Sequence, residues 1–287
     1  MATSTQYKGL QTPVIRVVNL IKRYEGRAVL DGVSLDVSHG QTMAIIGGSG
    51  CGKSTLLRCI IGAIWPDVGH VELLGRNLNE CDDAELDALR KKFGILFQSG
   101  ALFNSMTVGQ NVALPLREHT GLDAQTIDIM VRIKLELVGL REAVDRMPSE
   151  LSGGMKKRAA LARAIALDPE ILFYDEPSAG LDPVTAAGID QLIMNLSDKL
   201  GVTSLVVTHD MESAFRIADR MAMLDKGRLL KAGTAAEFKA IRDGAATGDA
   251  SIDVVRQFLR GESEGPITSR QRGDKYEQDI LNAADDE

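Results

Sequence analysis

The sequence predicts an α/β protein whose central sheet is largely parallel. Short runs rich in Val, Ile, Leu and Phe alternate with longer amphipathic stretches, and strands that alternate with helices are typical of this class. The chain has 287 residues, of which 44% are hydrophobic and 25% charged, so it can bury a sizeable core without disulfides. In addition, a glycine-rich segment lies between a predicted strand and a predicted helix, which is a common place for a phosphate site.

The predicted elements follow one another along most of the chain. The predicted strands are Val14–Leu20, Val33–Val37, Thr42–Ile46, Val68–Leu74, Phe93–Phe97, Ile171–Tyr174, Thr203–Thr208 and Met221–Leu224. The predicted helices are Lys53–Ala63, Asp82–Arg90, Ala124–Val138, Ser152–Leu167, Pro183–Leu200 and Met211–Ala218. Between Phe97 and Asp168 there are helix signals and no convincing strand, which predicts a helical insertion at about residues 99–167. We expect one main domain at residues 1–260 and an extension at 261–287.

Composition and charge exclude several classes of function. The net charge of −7 disfavours a nucleic-acid-binding surface, and we expect no nucleic-acid partner. Three cysteines without a C-x-x-C pair and four scattered histidines predict neither a disulfide framework nor a zinc site. The first ten residues lack the apolar region of a secretory signal, and the apolar run Cys59–Trp65 is too short to span a bilayer. These features favour a cytosolic chain that does not cross a membrane.

A glycine-rich loop follows the predicted strand Thr42–Ile46 and leads directly into a helical run. It matches G-x-x-x-x-G-K-[ST] with a strand before it and a helix after it, which is the context that this motif requires. In such loops, backbone N–H groups and the helix N-terminus hold phosphates, the lysine reaches the β- and γ-phosphates, and the hydroxyl binds Mg²⁺. We therefore predict a nucleoside triphosphate site formed by Gly47, Gly48, Ser49, Gly50, Cys51, Gly52, Lys53, Ser54 and Thr55.

Two acidic residues follow the predicted buried strand Ile171–Tyr174. Asp175 and Glu176 stand at its carboxyl end, and Pro177 stops the strand immediately after them. Ligands of open α/β sheets bind at that edge. We expect Asp175 to hold Mg²⁺ through its water shell and Glu176 to orient and deprotonate an attacking water. Two solvated loop acids would be the alternative, and the glycine-rich loop elsewhere in the chain argues against it.

Two further polar residues end predicted strands. His209 follows Thr203–Thr208, where an imidazole donor could face the γ-phosphate. A single histidine in such a place is more often structural. Gln98 ends Phe93–Phe97 and opens the helical insertion, so its amide can touch the metal or water while its backbone moves with the insertion. We include both residues in the candidate catalytic site because of the glycine-rich loop.

The segment Leu151–Met155 predicts a second anion-binding helix N-terminus. Ser152 is a suitable N-cap, Gly153 and Gly154 keep side chains out of the way, and Ala159–Leu167 strongly favours a helix. One γ-phosphate has no need for two such helix ends from the same molecule. We therefore expect Ser152, Gly153 and Gly154 to contact a nucleotide that is held by another copy of the chain.

Taken together, these motifs resemble the nucleotide-binding subunits of ABC transporters over roughly Val14 to Lys231. The resemblance implies an ATP hydrolase that uses Mg²⁺, with an antiparallel β edge, a helical signature subdomain and a homodimer that holds two ATP molecules. It makes Leu151–Met155 the signature and Ser178–Asp182 the D-loop, and it adds Asp182 to the nucleotide site and Tyr24 as the aromatic that stacks on adenine. Met155 stands where the common signature has Gln.

A narrower resemblance points to the ATPases of Mla/Mce-type phospholipid transporters. It rests on Leu96–Phe103, on Val112–Thr120, and on the signature LSGGM with its following basic run and Ala159–Leu167. Gln110 departs from the acid found in many members. The resemblance implies a peripheral subunit on the cytoplasmic face of the bacterial inner membrane. It also implies a membrane permease contacted through residues after Gln98, an Mce-domain protein and a small regulatory subunit, with phospholipid as the transported substrate.

Two other functions remain open from the sequence. One is the ATPase of a small-molecule importer for an amino acid or a metal ion, which the segment around and after Gln98 disfavours without excluding it. The other is a soluble ABC ATPase of DNA repair or translation. Such proteins usually carry paired cassettes or a long coiled-coil insertion, whereas this chain has one glycine-rich loop and a short insertion.

The end of the chain divides into two parts. Val255, Phe258 and Leu259 have helical spacing, which predicts a short amphipathic helix within 252–259 that packs on the body. The polar segment 261–287 has only sparse apolar residues, namely Pro266, Ile267, Tyr276, Ile280 and Leu281. We expect this segment to order on a partner ATPase or on a regulatory subunit, with a disordered acidic tail as the alternative.

Overall fold

Ten strands form two sheets in the computed structural model, which describes residues 13–245 and 247–269. The strands are β1 (Ile15–Tyr24), β2 (Arg27–Val37), β3 (Thr42–Ile46), β4 (Val68–Leu73), β5 (Arg76–Asn77), β6 (Phe93–Leu96), β7 (Ile171–Asp175), β8 (Thr203–Val207), β9 (Arg220–Asp225) and β10 (Arg228–Thr234). The helices of the same residues are α1 (Lys53–Ile60), α2 (Asp83–Arg90), α3 (Val108–His119), α4 (Ala124–Leu137), α5 (Gly153–Ala164), α6 (Pro183–Leu200), α7 (Met211–Ile217), α8 (Ala235–Asp243) and α9 (Ala250–Arg260).

The larger sheet confirms the predicted parallel centre. Its order is β10-β9-β3-β8-β7-β6, with parallel pairing from β9 to β6 and one antiparallel pair, β10 with β9. Successive residues of its strands pack into different clusters: Met43 and Ile45 of β3 lie in one core, Ala44 and Ile46 in another. Side chains alternate across a strand, so the sheet is buried on both faces, as its continuous apolar runs predict.

A smaller antiparallel sheet confirms the predicted antiparallel edge. Its order is β2-β1-β4-β5, and every neighbouring pair runs antiparallel. Its inner face, including Val17 and Leu30, packs with Leu56 of α1 and Phe173 of β7 in one buried cluster. The helix that follows the glycine-rich loop therefore lies between the two sheets, which fixes the direction in which that loop faces.

The first hairpin is longer than the sequence predicts. β1 continues past Leu20 to Tyr24, and β2 begins at Arg27 rather than Val33. The turn residues Glu25 and Gly26 both have positive φ, 51° and 79°, which is the geometry of the tight turns that match strand twist. Near the turn both strands extend beyond the buried core, so their residues there are mostly charged and exposed. The alternation of apolar and polar residues that predicts a strand is therefore missing from this part of the sequence.

Helix α3 was not among the predicted helices, and it contains Pro115. The helix forms because Val112 and Leu116 are buried against its neighbours, and this packing outweighs the cost of the proline. It begins with a capping box: Gln110 N–H donates to Thr107 Oγ1 at 3.2 Å, and Thr107 N–H donates to Gln110 Oε1 at 2.8 Å. Gln110 fills this role without the acid that is common there.

The C-terminal part of the described chain packs on the larger sheet. The predicted helix near residue 252 is confirmed as α9, with Val254 and Val255 buried beside Phe238 of α8. Strand β10 and helix α8 were not predicted, since their apolar residues are few and their burial depends on α9. No helix within residues 13–245 and 247–269 is both long and apolar enough to cross a membrane.

Gly94 allows β6 to lie very close to α5. A Cβ atom at this position would stand 2.1 Å from the carbonyl oxygen of Ala164, which is backbone and cannot easily yield. We expect Gly94→Ala to lower the free energy of unfolding by about 1–3 kcal/mol, the usual range for overpacking. Gly188 in α6, where an added Cβ meets nothing within 4 Å, is the matched control. Gly188→Ala is expected to raise stability by about 0.5–1 kcal/mol. Equal urea midpoints for the two variants would contradict this.

Candidate active site

Neighbouring parallel strands bring the predicted site residues to one sheet edge. The order β3-β8-β7-β6 places the residues that follow these strands side by side, because all four strands point the same way. Gly47 follows β3, His209 follows β8, Asp175 ends β7 and Gln98 follows β6. The sequence could predict that each residue ends a strand, and the strand order adds their adjacency.

The glycine-rich loop is shaped by close backbone contacts. Gly47 has φ 148°, and a Cβ there would lie 2.2 Å from the carbonyl oxygen of Leu224 in β9. Gly52 has φ 109°, and its Cβ would lie 2.8 Å from the carbonyl oxygen of Val29. The loop is therefore held between β9 and β2 in a form that only glycine permits at these positions. Cys51 is buried in the loop, and burial raises the pKa of its thiol.

Lys53 lies across this loop at the start of α1. Its side chain is buried, and Nζ donates to the carbonyl oxygens of Gly47 at 2.7 Å and Gly48 at 3.0 Å. The N-cap residue Gly52 supplies no side-chain cap, so the first N–H groups of α1 are not satisfied by a capping side chain. Ser54 is exposed and Thr55 half-buried at the same helix end. A phosphate fits here because an ammonium lies beside N–H donors at a helix end that has no side-chain cap.

Asp175 has the properties of a metal ligand. Its Oδ1 is buried and has no hydrogen-bond partner among the described residues. Burial raises the pKa of this carboxyl, the charge of Glu176 raises it further, and Arg58, Lys157 and Lys53 act in the opposite direction. A buried, unpartnered carboxylate oxygen is costly unless a cation or donor satisfies it. The site therefore fits a divalent cation such as Mg²⁺ next to Asp175.

Glu176 is held by its backbone and by His209. Its φ is 49°, unusual for a residue with a side chain, and its N–H donates to Val207 O at 2.9 Å. Oε2 lies 2.8 Å from His209 Nδ1, while the His209 side chain is 66% exposed. The imidazole therefore faces solvent while it contacts the Glu176 carboxylate. The two residues predicted for catalysis are thus in direct contact, although sequence alone placed them 33 positions apart.

A buried lysine that was not predicted as a site residue joins Gln98 to Glu176. Lys157 Nζ donates to the backbone carbonyl of Gln98 at 2.5 Å and to that of Glu176 at 3.1 Å. The side chain of Gln98 itself is exposed. Lys157 belongs to the basic run after the signature, and a run of cations on a helix is ordinarily solvated. Lys157 makes this contact because it lies on the buried face of α5, which the basic run in the sequence does not indicate.

The signature segment begins α5 as expected. Ser152 is the N-cap, and its Oγ accepts from Met155 N–H at 3.3 Å. Gly154 is buried against α6, where a Cβ would come within 2.4 Å of Thr185 Cγ2, and Gly153 is exposed. No hydrogen bond or ion pair within the described residues joins Ser152 to the glycine-rich loop. The exposed N-terminus of α5 is consistent with a ligand from outside the chain.

Asp182 and Tyr24 lie away from this cluster of contacts. Asp182 caps α6, with Oδ1 accepting from the N–H groups of Val184 and Thr185, each at 3.1 Å. These bonds, chiefly those of Thr185, lower the pKa of the Asp182 carboxyl. Tyr24 ends β1 in the smaller sheet and is 46% exposed, with Lys22 Nζ 5.5 Å from its ring centre. An exposed ring can stack on a base.

The site and the fold define an ATP-binding cassette, and comparison with known proteins agrees. Residues 30–179 match the family described as ABC transporter. The chain belongs to this family, as an ATP-binding and ATP-hydrolysing transporter subunit.

Similar proteins include transport ATPases from several bacteria. The chain is 46% identical over 255 residues to the intermembrane phospholipid transport system ATP-binding protein MlaF of Escherichia coli K12. This match covers 89% of this chain and 91% of that protein. It is 42% identical over 268 residues to MlaF of Haemophilus influenzae, covering 93% of this chain and 98% of the relative. It is 41% identical over 273 residues to the probable ribonucleotide transport ATP-binding protein mkl of Mycobacterium tuberculosis, covering 94% and 74%.

Solved structures with the same fold include two cassettes. One is the dimeric cassette MJ0796 in a post-hydrolysis state with ADP and Pi, with TM-score 0.71 and 31% identity over 77% of this chain and 98% of that one. The other is cbiO1 of Clostridium perfringens, part of the transporter complex cbiONQ, with TM-score 0.75 and 30% identity over 81% and 94%. The similarity to both confirms the predicted fold class.

Proposed function

We propose that this chain energises phospholipid transport as a peripheral subunit at the cytoplasmic face of the bacterial inner membrane. The observation that carries the proposal is the 46% identity to MlaF of Escherichia coli, which extends over 91% of that protein. Because the match covers nearly all of both chains, it includes the surfaces that could contact a permease as well as the nucleotide site. The segment after Gln98, on which the narrower resemblance rests, lies inside this match.

The phosphates of ATP would bind the backbone N–H groups of the glycine-rich loop and the start of α1. Lys53 would exchange the carbonyls of Gly47 and Gly48 for β- and γ-phosphate oxygens, which are stronger acceptors for an ammonium. The remaining loop residues that we assign to ATP are Ser49, Gly50, Cys51, Gly52 and Thr55. Ser54, Gln98 and Asp175 are the residues that would hold Mg²⁺, which stabilises the charge of the transferring phosphate when bound.

Glu176 would act as the general base, and His209 would keep it oriented. The left-handed backbone of Glu176 turns its carboxylate to the sheet edge, where Nδ1 of His209 contacts it at 2.8 Å. A water beside this carboxylate could lose its proton to Oε2 and attack the γ-phosphorus of ATP, whose bond to the β,γ-bridging oxygen breaks so that ADP leaves and inorganic phosphate forms. The exposed imidazole of His209 is able to leave the carboxylate and donate to the phosphate instead. Tyr24 would stack on adenine.

Two chains would form a homodimer with ATP at shared sites. The exposed N-terminus of α5 offers Ser152, Gly153 and Gly154 to a nucleotide bound by the partner subunit. Asp182, which caps α6 beside the same surface, would lie at that interface. The similarity to the dimeric cassette MJ0796 supports this arrangement. Each ATP would then need one chain's Lys53 and the other chain's Ser152.

Complementation between two inactive variants tests the shared sites. Lys53→Ala damages the phosphate loop, and Ser152→Arg blocks the N-terminus of α5, so each homodimer lacks both sites. A mixed dimer retains one site with both faces intact, and only about half of the dimers in an equimolar mixture are mixed. We expect the mixture to hydrolyse ATP faster than either variant alone, at no more than about a quarter of the wild-type rate. The measurement is ATP turnover of mixed and separate variants at equal total protein. A mixture no more active than its components would contradict the shared arrangement.

An apolar groove is the proposed contact for a membrane permease. It has a volume of about 850 Å³ and lies between the β6 edge and α3. Phe97 and Phe103 line it and are 41% and 49% exposed, and Arg163 stands 5.9 Å over the ring of Phe103. Exposed aromatic residues beside a concave surface are typical of protein contacts. The groove directly follows Gln98, so an occupant could act on the nucleotide site.

We expect Phe103→Ser to weaken the permease contact and leave single-chain ATP binding unchanged. The substitution removes an aromatic anchor, and one such anchor at an interface contributes about 2 kcal/mol or more. The control is Val68→Ser, which changes another exposed apolar residue, in the smaller sheet. Co-purification of the permease with each variant from detergent-solubilised membranes measures the effect. Equal permease recovery with both variants would place the contact elsewhere.

Two further partners belong to the proposal, an Mce-domain protein and a small regulatory subunit. The polar C-terminal extension is the proposed contact for the partner ATPase or the regulatory subunit. Of its apolar residues, Pro266 and Ile267 lie at the end of the described chain, and Ile267 packs beside the α8 and α9 cluster. Tyr276, Ile280 and Leu281 lie outside the described residues, so the docking of this tail stays a prediction.

Affinity purification of the chain from bacterial membranes tests the proposed function. We expect a permease, an Mce-domain protein and bound phospholipid to co-purify in detergent. Lipid extraction and mass spectrometry of the complex identify the phospholipid, with a complex purified through an unrelated ABC ATPase as the control. A permease with a bound ribonucleotide, amino acid or metal ion and no enriched phospholipid would contradict the proposal and favour a small-molecule transporter.

A further inference from the structure

Lys157 is a buried cation with two backbone partners from different strands. It is 6% exposed, and its Nζ donates to the carbonyl of Gln98 after β6 and to that of Glu176 after β7. The Glu176 carbonyl also accepts from Ala179 N–H at 3.2 Å, whereas Lys157 is the one donor to the Gln98 carbonyl within residues 13–245 and 247–269. Lys157 therefore bridges the segment at Gln98 and the segment at Glu176 just beyond the last paired residues of β6 and β7, Leu96 and Tyr174.

The charge environment of Lys157 belongs to the site as well. Burial lowers the pKa of its ammonium, and the carboxylates of Asp175 and Glu176 act in the opposite direction. A buried lysine that makes no other contact would be expensive. Here the ammonium donates to two carbonyls and lies near the carboxylates of Asp175 and Glu176. These interactions offset the cost of burying its charge, and all of them belong to the candidate active site.

The helix that carries Lys157 also carries the signature. α5 begins at its N-cap Ser152, and Lys157 lies five residues later on the same helix. At about 1.5 Å per residue, this separation is roughly 8 Å along a single rigid element. In the proposed dimer, Ser152 contacts the ATP of the partner subunit. A shift of α5 on binding that ATP would move Lys157, and with it the carbonyls of Gln98 and Glu176.

We propose that Lys157 is a positioning residue that couples the two ATP sites of the dimer through α5. It holds Gln98 and Glu176 in the arrangement that hydrolysis needs, and it makes that arrangement depend on the contact between Ser152 and the other ATP. The inference rests on the proposed function of the chain as a dimeric ATPase. It assigns to Lys157 a role that touches neither ATP nor water directly.

The test compares Lys157→Met and Lys157→Arg with Lys156→Met in the full-length chain within its purified complex. Lys156 is the neighbouring cation on α5, and its side chain makes no hydrogen bond or ion pair among the described residues. We expect Lys157→Met to lower kcat by about 10- to 100-fold, the rate equivalent of a lost hydrogen bond to a charged group. The KM for ATP should stay within about twofold, and the Hill coefficient for ATP should fall toward one. Lys157→Arg keeps both donors and should restore cooperativity, and Lys156→Met should match wild type.

Three results would overturn the inference. They are wild-type kcat and Hill coefficient in Lys157→Met, an equal loss in Lys156→Met, or a folded Lys157→Arg that remains non-cooperative. If Lys157→Met fails to fold, as thermal unfolding would show, Lys157→Gln replaces it because it keeps a donor and removes the charge. Wild-type enzyme with a Hill coefficient of one would also remove the coupling, whereas wild-type enzyme that hydrolyses no ATP, or stays monomeric with ATP in gel filtration, would refute the proposed dimeric function. The two failures are therefore distinct.

Discussion

Replacing Glu176 by Gln is expected to slow ATP hydrolysis by about 10²–10⁴, the usual contribution of a general base, while ATP still binds. The amide keeps the size of the carboxylate but cannot accept a proton from water. Its backbone, held by the bond from its N–H to Val207, should keep the same left-handed conformation. Because ATP binds and is not consumed, the variant should accumulate as an ATP-bound dimer. Single-turnover hydrolysis and gel filtration with ATP measure both effects.

The matched control is Glu212→Gln. Glu212 is exposed and lies on α7 after His209. Its replacement by Gln removes the same charge as Glu176→Gln at a residue outside the candidate site. Its turnover should remain within about twofold of wild type, as surface substitutions usually have small effects. Unchanged hydrolysis in Glu176→Gln would transfer the role of base to another group, of which His209 is the first to examine. In that case His209→Gln should show the loss instead.

Replacing Lys53 by Ala is expected to abolish measurable ATP binding. Its ammonium is the buried cation that already contacts two carbonyls of the phosphate loop, and alanine leaves the phosphates without this donor. A ligand at 100 times its dissociation constant stabilises a protein by about 2.7 kcal/mol. Wild type should gain this stability on adding ATP, and Lys53→Ala should gain none.

Lys239→Ala controls for the loss of a lysine, since Lys239 is exposed on α8 far along the chain from the loop. It should show the full stabilisation by ATP. Thermal unfolding with and without nucleotide makes the comparison and also reports whether each variant is folded. ATP affinity of Lys53→Ala within a few-fold of wild type would contradict the placement of the nucleotide in this loop.

Much of the fold and several site residues could be predicted because their signals are local. The glycine-rich loop specifies its own shape, since Gly47 and Gly52 adopt backbone angles that other residues avoid. Asp175 and His209 could be placed at strand ends because a predicted strand stops just before each of them. Parallel strands then place such ends at one edge, so position along the chain was enough to predict a shared site.

What could not be predicted depends on which surfaces meet in three dimensions. Lys157 looks like part of a solvated basic run, and only the packing of α5 on β6 and β7 turns it toward two carbonyls. Helix α3 contains a proline that argues against a helix, and its burial outweighs that local preference. The contact between Glu176 and His209 likewise needs the order of β7 and β8, which no motif contains.

ATP-driven phospholipid movement by the purified complex tests the proposed function most directly. The complex is reconstituted into vesicles with a labelled phospholipid, and transfer of the label to or from acceptor vesicles is followed with ATP, with ADP and with the Glu176→Gln variant. We predict transfer that requires ATP hydrolysis and is lost in the variant, in whichever direction it runs. Phospholipid transfer at the same rate with ATP, with ADP and in the variant, despite intact ATPase activity of the wild type, would contradict the proposal.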